Sequence, residues 1–432
     1  MSKPSQTGTA QVPSAVQNDG MRLYLSRRMA IALVVALTAP WGGMVLLFLG
    51  LGVLNLFDDA GVAGSNILGA RVMRGKPGPW GHLQYTRIAI EPPERFIVLS
   101  KQPQAPRWFF KGVKREQLTS VLQTLPFTDI QRVSFTQSAT WTETNEGVWL
   151  APPAELVLAL TPDVRAQLYG LLMLVSENQM QAKLHTFNSD FLDERIGASG
   201  LATESVELFR KLLYRRGQQL LFADEDVVLP RLPNDAERLR FLKMLDRENA
   251  LLVKLLITPE TDVDKLVSYW GVGGRAKDLE PLLRSLRRVS GGTELGIAQL
   301  LPSFARRRLY TYAQPKTKRE SASMSDLWAV LNFFNWTPDS RYSDIMLAGE
   351  TIRKEYYEIA GDGRLGDMVA LFTADNKMVS AAVYIADDII FTRSSPRPTS
   401  PWLLTTISYW ANQWAPFFPQ ETPPSVRTCR RK

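Results

Sequence analysis

Asp326-Leu327-Trp328-Ala329-Val330-Leu331-Asn332-Phe333-Phe334-Asn335 opens the part of the chain richest in local structural signals. It continues through Arg364-Leu365-Gly366-Asp367-Met368-Val369-Ala370-Leu371-Phe372. It closes with Val379-Ser380-Ala381-Ala382-Val383-Tyr384-Ile385-Ala386-Asp387-Asp388-Ile389-Ile390-Phe391-Thr392. Asp326 is suited to cap a helix, and Leu327, Val330, Leu331 and Phe334 share one helical face. Leu365-Gly366-Asp367 is a turn signal, and Met368 to Phe372 is an apolar run of strand length. Asp375-Asn376-Lys377 predicts a hairpin turn. Val379 to Ile385 and Ile389 to Thr392 predict two more strands, joined by a tight Ala386-Asp387-Asp388 turn.

This order, a helix and then short strands, resembles the NlpC-like cell-wall cysteine peptidases, a branch of the papain-like superfamily. The Leu365-Gly366-Asp367 turn and the Ala382-Val383-Tyr384-Ile385 strand carry the resemblance. It implies a papain-type α+β domain over residues 324–420. In that family a Cys starts the helix, a His stands on the second strand before a pair of small residues, and a polar residue on the next strand orients the His. The corresponding positions are Asp326, Ser380, and Thr392 or Arg393. The resemblance therefore implies a fold that has lost its catalytic pair, with Asp326, Trp328, Ser380, Tyr384 and Thr392 lining the former groove.

The same loss follows from the residues. The chain has two histidines, His82 and His185, and one cysteine, Cys429, none of them in that stretch. A thiol nucleophile needs a thiolate with a base in hydrogen-bond reach. Ser380 or Asp326 would need such a base, and the chain offers only His82, His185 or a lysine such as Lys377. Cys429 falls in a Pro- and Arg-rich segment, 421–432, which reads as a tail with a free thiol.

Working outward, residues 314–323 are polar and charged and read as a linker. Residues 258–313 read as a helical basic region. Within it, Trp270-Gly271-Val272-Gly273-Gly274-Arg275 lacks phosphate-loop spacing and reads as a helix-to-helix turn. Arg284, Arg287, Arg288, Arg306, Arg307 and Arg308 make this the most basic part of the chain, read either as solvated helix faces or as a patch for anionic glycan or lipid. Residues 84–257 read as an α+β middle domain. Thr161-Pro162-Asp163 is a strong helix start there. Asp224-Glu225-Asp226 is an acidic run with no partner visible in the sequence.

Residues 29–57 carry no charge and exceed the roughly 20 apolar residues that span a bilayer. Arg27 and Arg28 precede the run and Asp58 and Asp59 follow it, which predicts a signal anchor with a cytoplasmic amino terminus. Residues 1–28 then form a disordered cytoplasmic tail and 58–83 a juxtamembrane linker, with the bulk of the chain outside a bacterial inner membrane.

The chain is long enough, at 432 residues, for two or three domains, and 45% hydrophobic content is ordinary for a folded protein. A net charge of +8 favours acidic partners. The predicted topology narrows these to the bilayer, peptidoglycan or a muropeptide, and anionic glycan, and disfavours nucleic acid. One cysteine excludes an intrachain disulfide and a Cys-based zinc site. No cofactor or metal motif is present. Three roles follow: a binding or scaffolding protein of the cell envelope with a degenerate peptidase domain, an active cell-wall hydrolase with a nucleophile other than Cys, and a purely structural assembly subunit.

Overall fold

The computed structural model describes residues 71–99, 105–137, 139–313, 325–393, 397, 399–418 and 422–432. The expected anchor at 29–57, the tail before it and the linker at 314–323 lie outside the described residues, as does the first half, 58–70, of the juxtamembrane segment, whose second half holds strand residues instead of a linker. Among the described residues no helix is long and apolar enough to cross a membrane. The architecture is mixed α+β, as the sequence predicts.

Strands β1 (Val72–Arg74) and β2 (His82–Ile90) open the fold. The chain then leaves for a lobe with two small antiparallel sheets. One holds β3 (Trp108–Lys111), β4 (Thr140–Thr144) and β5 (Gly147–Ala151). The other holds β6 (His185–Asn188), β7 (Tyr214–Arg216) and β8 (Gln219–Phe222). The chain returns in β9 (Glu248–Ile257), which pairs with β2 along its whole length, from His82 opposite Leu256 to Ile90 opposite Glu248. β10 (Thr293–Gly296) completes a four-stranded sheet in the order β1-β2-β9-β10. The lobe is thus an insertion between two neighbouring strands. It has its own apolar core, built on Trp108, Phe135, Tyr169, Phe209, Phe222 and Phe241.

β9 and the helices after it do not separate at the boundary expected near residue 257. Leu251, Val253, Leu255 and Ile257 share one core with Trp270, Leu283, Phe304, Trp328, Ile385, Phe391 and Trp402. The helices Val263–Trp270 and Ala276–Arg287 meet through the glycine turn, as expected. Thr161 accepts a hydrogen bond from Val164 N–H and caps the helix Pro162–Leu172, also as expected.

The last sheet has six strands in the order β11-β16-β12-β13-β14-β15, all antiparallel. These are β11 (Tyr356–Glu358), β12 (Met368–Phe372), β13 (Met378–Ala386), β14 (Ile389–Arg393), β15 (Trp402–Thr406) and β16 (Ser425–Arg431). The predicted turns are present. Gly366 has φ +94° and leads into β12. Asn376 and Asp387 take positive φ in the two hairpins.

The supposed tail is the largest correction. β16 lies inside the sheet between β11 and β12, and Cys429 is a buried core residue. Its arginines hid this by mimicking a solvated tail. Each instead has a partner: Arg427 stacks on Phe372, Arg430 bonds the Asp367 carboxylate at 2.8 and 3.0 Å, and Arg431 pairs with Glu355.

Candidate functional site

The helix Asp326–Asn332 begins one residue earlier in its cap than the sequence suggests. Ser325, not Asp326, is the N-cap, and its side chain accepts from Trp328 N–H at 3.2 Å. Capping by Ser325 leaves the Asp326 carboxylate free for another task. The helix is apolar nearly all round, with Trp328 to Asn332 buried in sequence, because it lies between the sheet and the helices before it.

The site forms where two strands part. The β13–β14 ladder ends at Val383 opposite Phe391, whereas β14 continues along β15 to Arg393 opposite Trp402. Beyond Val383 the strands diverge, and Asp326 occupies the fork. Ser380 Oγ donates to Asp326 Oδ2 at 2.5 Å, and Ala381 N–H donates to the same carboxylate. Arg393 supplies positive charge from the β14 side. Burial raises the Asp326 pKa, and Ser380, Ala381 and Arg393 each pull it back without cancelling the rise. Burial lowers the Arg393 pKa, which Asp326 opposes. Arg393 also lies over the Trp402 ring at 5.6 Å and donates to Arg397 O at 2.6 Å.

The three positions named from the sequence therefore meet, with Arg393 rather than Thr392 as the third member. Thr392 turns the other way. It donates to Arg393 O and lines a narrow cleft with Glu248, Asn249, Tyr409 and Trp410. Tyr384 also belongs to the opposite face, packed with Val369, Leu371 and Trp410, with its hydroxyl on Asp387 O at 2.8 Å. Trp328 packs against Phe304 and Trp402. The expected groove lining thus divides between two faces of the sheet. Ser380 is 5% exposed and Thr392 2%.

A carboxylate, a hydroxyl and a guanidinium cannot perform thiol–imidazole chemistry. Neither histidine is placed to activate Ser380. His82 pairs with Leu256 in the other sheet. His185 Nε2 lies 2.8 Å from Glu225 Oε1 and its ring faces Arg397. Lys377 is held by Asp375 at 2.6 Å in the exposed hairpin. Cys429 opposes Met368 and Glu358 within the sheet, and burial raises its thiol pKa.

The basic segment divides as well. Arg306 is close enough to Arg275, before the helix Ala276–Arg287, to depress its pKa beside the larger effect of burial. Arg284, Arg287 and Arg288 are at the far end of that helix, about 15 Å away at 1.5 Å per residue. Arg284 is paired with Asp264 and Glu280, and Arg287 donates to Pro259 O. Arg307 lies 4.7 Å over the Trp336 ring, and Arg308 covers Phe304 and Trp328.

The acidic run is not a solvated stretch. Asp224 is fully enclosed, accepts from the Tyr169 hydroxyl and pairs with Arg165 at 3.2 Å. Burial pushes its pKa up to about 6 against the pull of Arg165. Burial also raises Glu225, but the His185 and Arg397 contacts outweigh it and hold the group below its usual value. Asp226, beside both, is pushed up to about 8 by burial and by its two neighbours. Arg165 and Tyr169 recur every four residues on the helix Pro162–Leu172, and that spacing was the available signal. The distance to Asp224 along the chain concealed it. Asp387 and Asp388 are also engaged, with Lys76 N–H and Ser408 Oγ. Among the described residues no group of His, Cys, Asp and Glu is placed to hold a metal.

Comparison with known proteins gave no match to a family model, a curated protein or a solved structure.

Proposed function

We propose that this chain is a membrane-anchored, extracytoplasmic scaffolding protein of the bacterial cell envelope. Its last domain is a catalytically silent relative of the NlpC-like peptidases. The meeting of Asp326, Ser380 and Arg393 carries the proposal. A helix start facing a strand is where a papain-like enzyme keeps its nucleophile and base, and here the contact is made by groups that serve packing. Asp326 ties the helix to the fork between β13 and β14, and the buried Ser380 completes the tie. The uncharged run at 29–57, with Arg27 and Arg28 before it, supports the anchor.

Burial of Ser380, Trp328 and Thr392 favours a scaffold over a muropeptide cleft. The domain then acts through its surface, and the wall, an anionic glycan or lipid is met there. Sedimentation with purified peptidoglycan tests this reading. The full chain should co-sediment, and Ser380→Ala should co-sediment equally. Loss of binding in Ser380→Ala would return the function to a cleft at Ser380, and failure of the parent chain to sediment would remove the wall as partner. An alkaline phosphatase fusion after Glu320 should be active, since that enzyme folds only outside the cytoplasm. An inactive fusion at normal expression would sink the topology.

A further inference from the structure

The segment between the helices Asp326–Asn332 and Ile345–Glu355, together with the first turn of the second helix, is apolar at its surface. Phe334, Trp336, Ile345, Met346 and Leu347 are all exposed, Trp336 by 67% and Met346 by 75%. An exposed surface of this composition costs solubility unless something covers it. Its neighbours are cationic. Arg307 lies over the Trp336 ring at 4.7 Å, and Arg306 beside it is exposed. Val272, exposed on the glycine turn, adjoins the same surface, because Gly273 abuts the Phe334 ring so closely that a Cβ would come within 2.6 Å of it. The loop's two carboxylates are both engaged. Asp339 is bonded to Arg341, and Asp344 caps the following helix by accepting from Met346 and Leu347 N–H.

We propose that this loop and the Arg306–Arg307 pair seat on an anionic lipid surface. Tryptophan and arginine together suit the interface between headgroups and acyl chains, where the ring is half-buried and the cation meets phosphate. Nearby arginines add electrostatic attraction to such a surface. The inference rests on the proposed anchor for proximity. About 15 residues separate the end of the apolar run from β1, and at roughly 3.4 Å per residue they allow at most about 50 Å of reach. Within that reach, the apolar surface is the face suited to meet the bilayer.

The test uses the full chain in phosphatidylglycerol-containing vesicles. Trp336→Cys is labelled with an environment-sensitive fluorophore. Leu174→Cys, exposed on the inserted lobe, is the control, and the parent chain reports background label at the buried Cys429. Nitroxide on the lipid chains should quench the label at position 336 at least about twofold more than the label at 174. Arg306→Glu with Arg307→Glu should abolish the difference, as should purely zwitterionic vesicles. Equal quenching at the two positions would overturn the proposal. So would contact between labels on two copies at 336 without lipid quenching, which would assign the face to self-association. Alkaline carbonate extraction separates the two readings. A chain that is extracted but still shows lipid quenching at 336 loses the anchor and keeps the docking face. A chain that resists extraction without that quenching does the reverse.

Discussion

Ser380 and Asp326, 54 positions apart in the chain, share a hydrogen bond of 2.5 Å at the fork between β13 and β14. Helix, strand and fork are joined at that point. Ser380→Ala should cost about 1–2 kcal/mol, since a buried bond to a charged group is lost. Asp326→Ala should cost more, because it also removes the acceptor of Ala381 N–H and the carboxylate facing Arg393. A double-mutant cycle by urea unfolding should return a coupling of about 1 kcal/mol. A coupling indistinguishable from zero would show that the bond does not tie the elements together.

The entry to β12 depends on Gly366. Its φ is +94°, and a Cβ there would come within 2.2 Å of the Phe334 ring. Gly366→Ala should cost about 2–4 kcal/mol, from backbone strain and from the clash. Adding Phe334→Ala should recover part of this, since the clash is relieved and the strain is not. Thermal melts of the three variants check the order.

Cys429 gives a third prediction. A thiol reagent should leave the folded chain unlabelled and modify Cys429 once the chain is unfolded, because burial both hides the thiol and raises its pKa. Deleting residues 425–432 should abolish cooperative unfolding of the last sheet, since β11 and β12 both pair with β16. Rapid native labelling, or a truncated chain that melts like the parent, would restore the tail that the sequence suggested.

That correction shows where the sequence was legible. The turns at Gly366, Asn376 and Asp387 were readable because left-handed backbone has few residue solutions. The apolar runs of β12, β13 and β14 were readable by length and composition. β16 was not, since its arginines find partners on elements distant in sequence. The insertion of the lobe between β2 and β9 was hidden for the same reason: the strands pair across the whole lobe, and local periodicity carries no record of that. At the site, positions 326 and 380 could be named through the resemblance. Choosing Arg393 over Thr392 needed the divergence of β13 from β14.

Asp226 provides a pH test of the inserted lobe. Its pKa in the fold is pushed up to about 8, from an ordinary 3.8, by burial and by Asp224 and Glu225. The folded state therefore binds this proton more tightly than the unfolded chain. The stability that the protonated group lends the fold is fully present below about pH 4 and is lost progressively as pH rises from there to about 8. Asp226→Asn should match the parent near pH 4 and be the more stable of the two above pH 8. Urea unfolding across that range measures the difference. A constant difference at all pH values would mean that Asp226 titrates alike in both states.

Catalytic silence is measured by digestion of purified peptidoglycan with the full chain, read by muropeptide release. A centre made of Asp326, Ser380 and Arg393 holds no activated nucleophile, so the unmodified protein should release nothing above a blank, with or without a thiol reagent. Release by the parent chain that Ser380→Ala abolishes would make Ser380 a working nucleophile and the domain an active hydrolase.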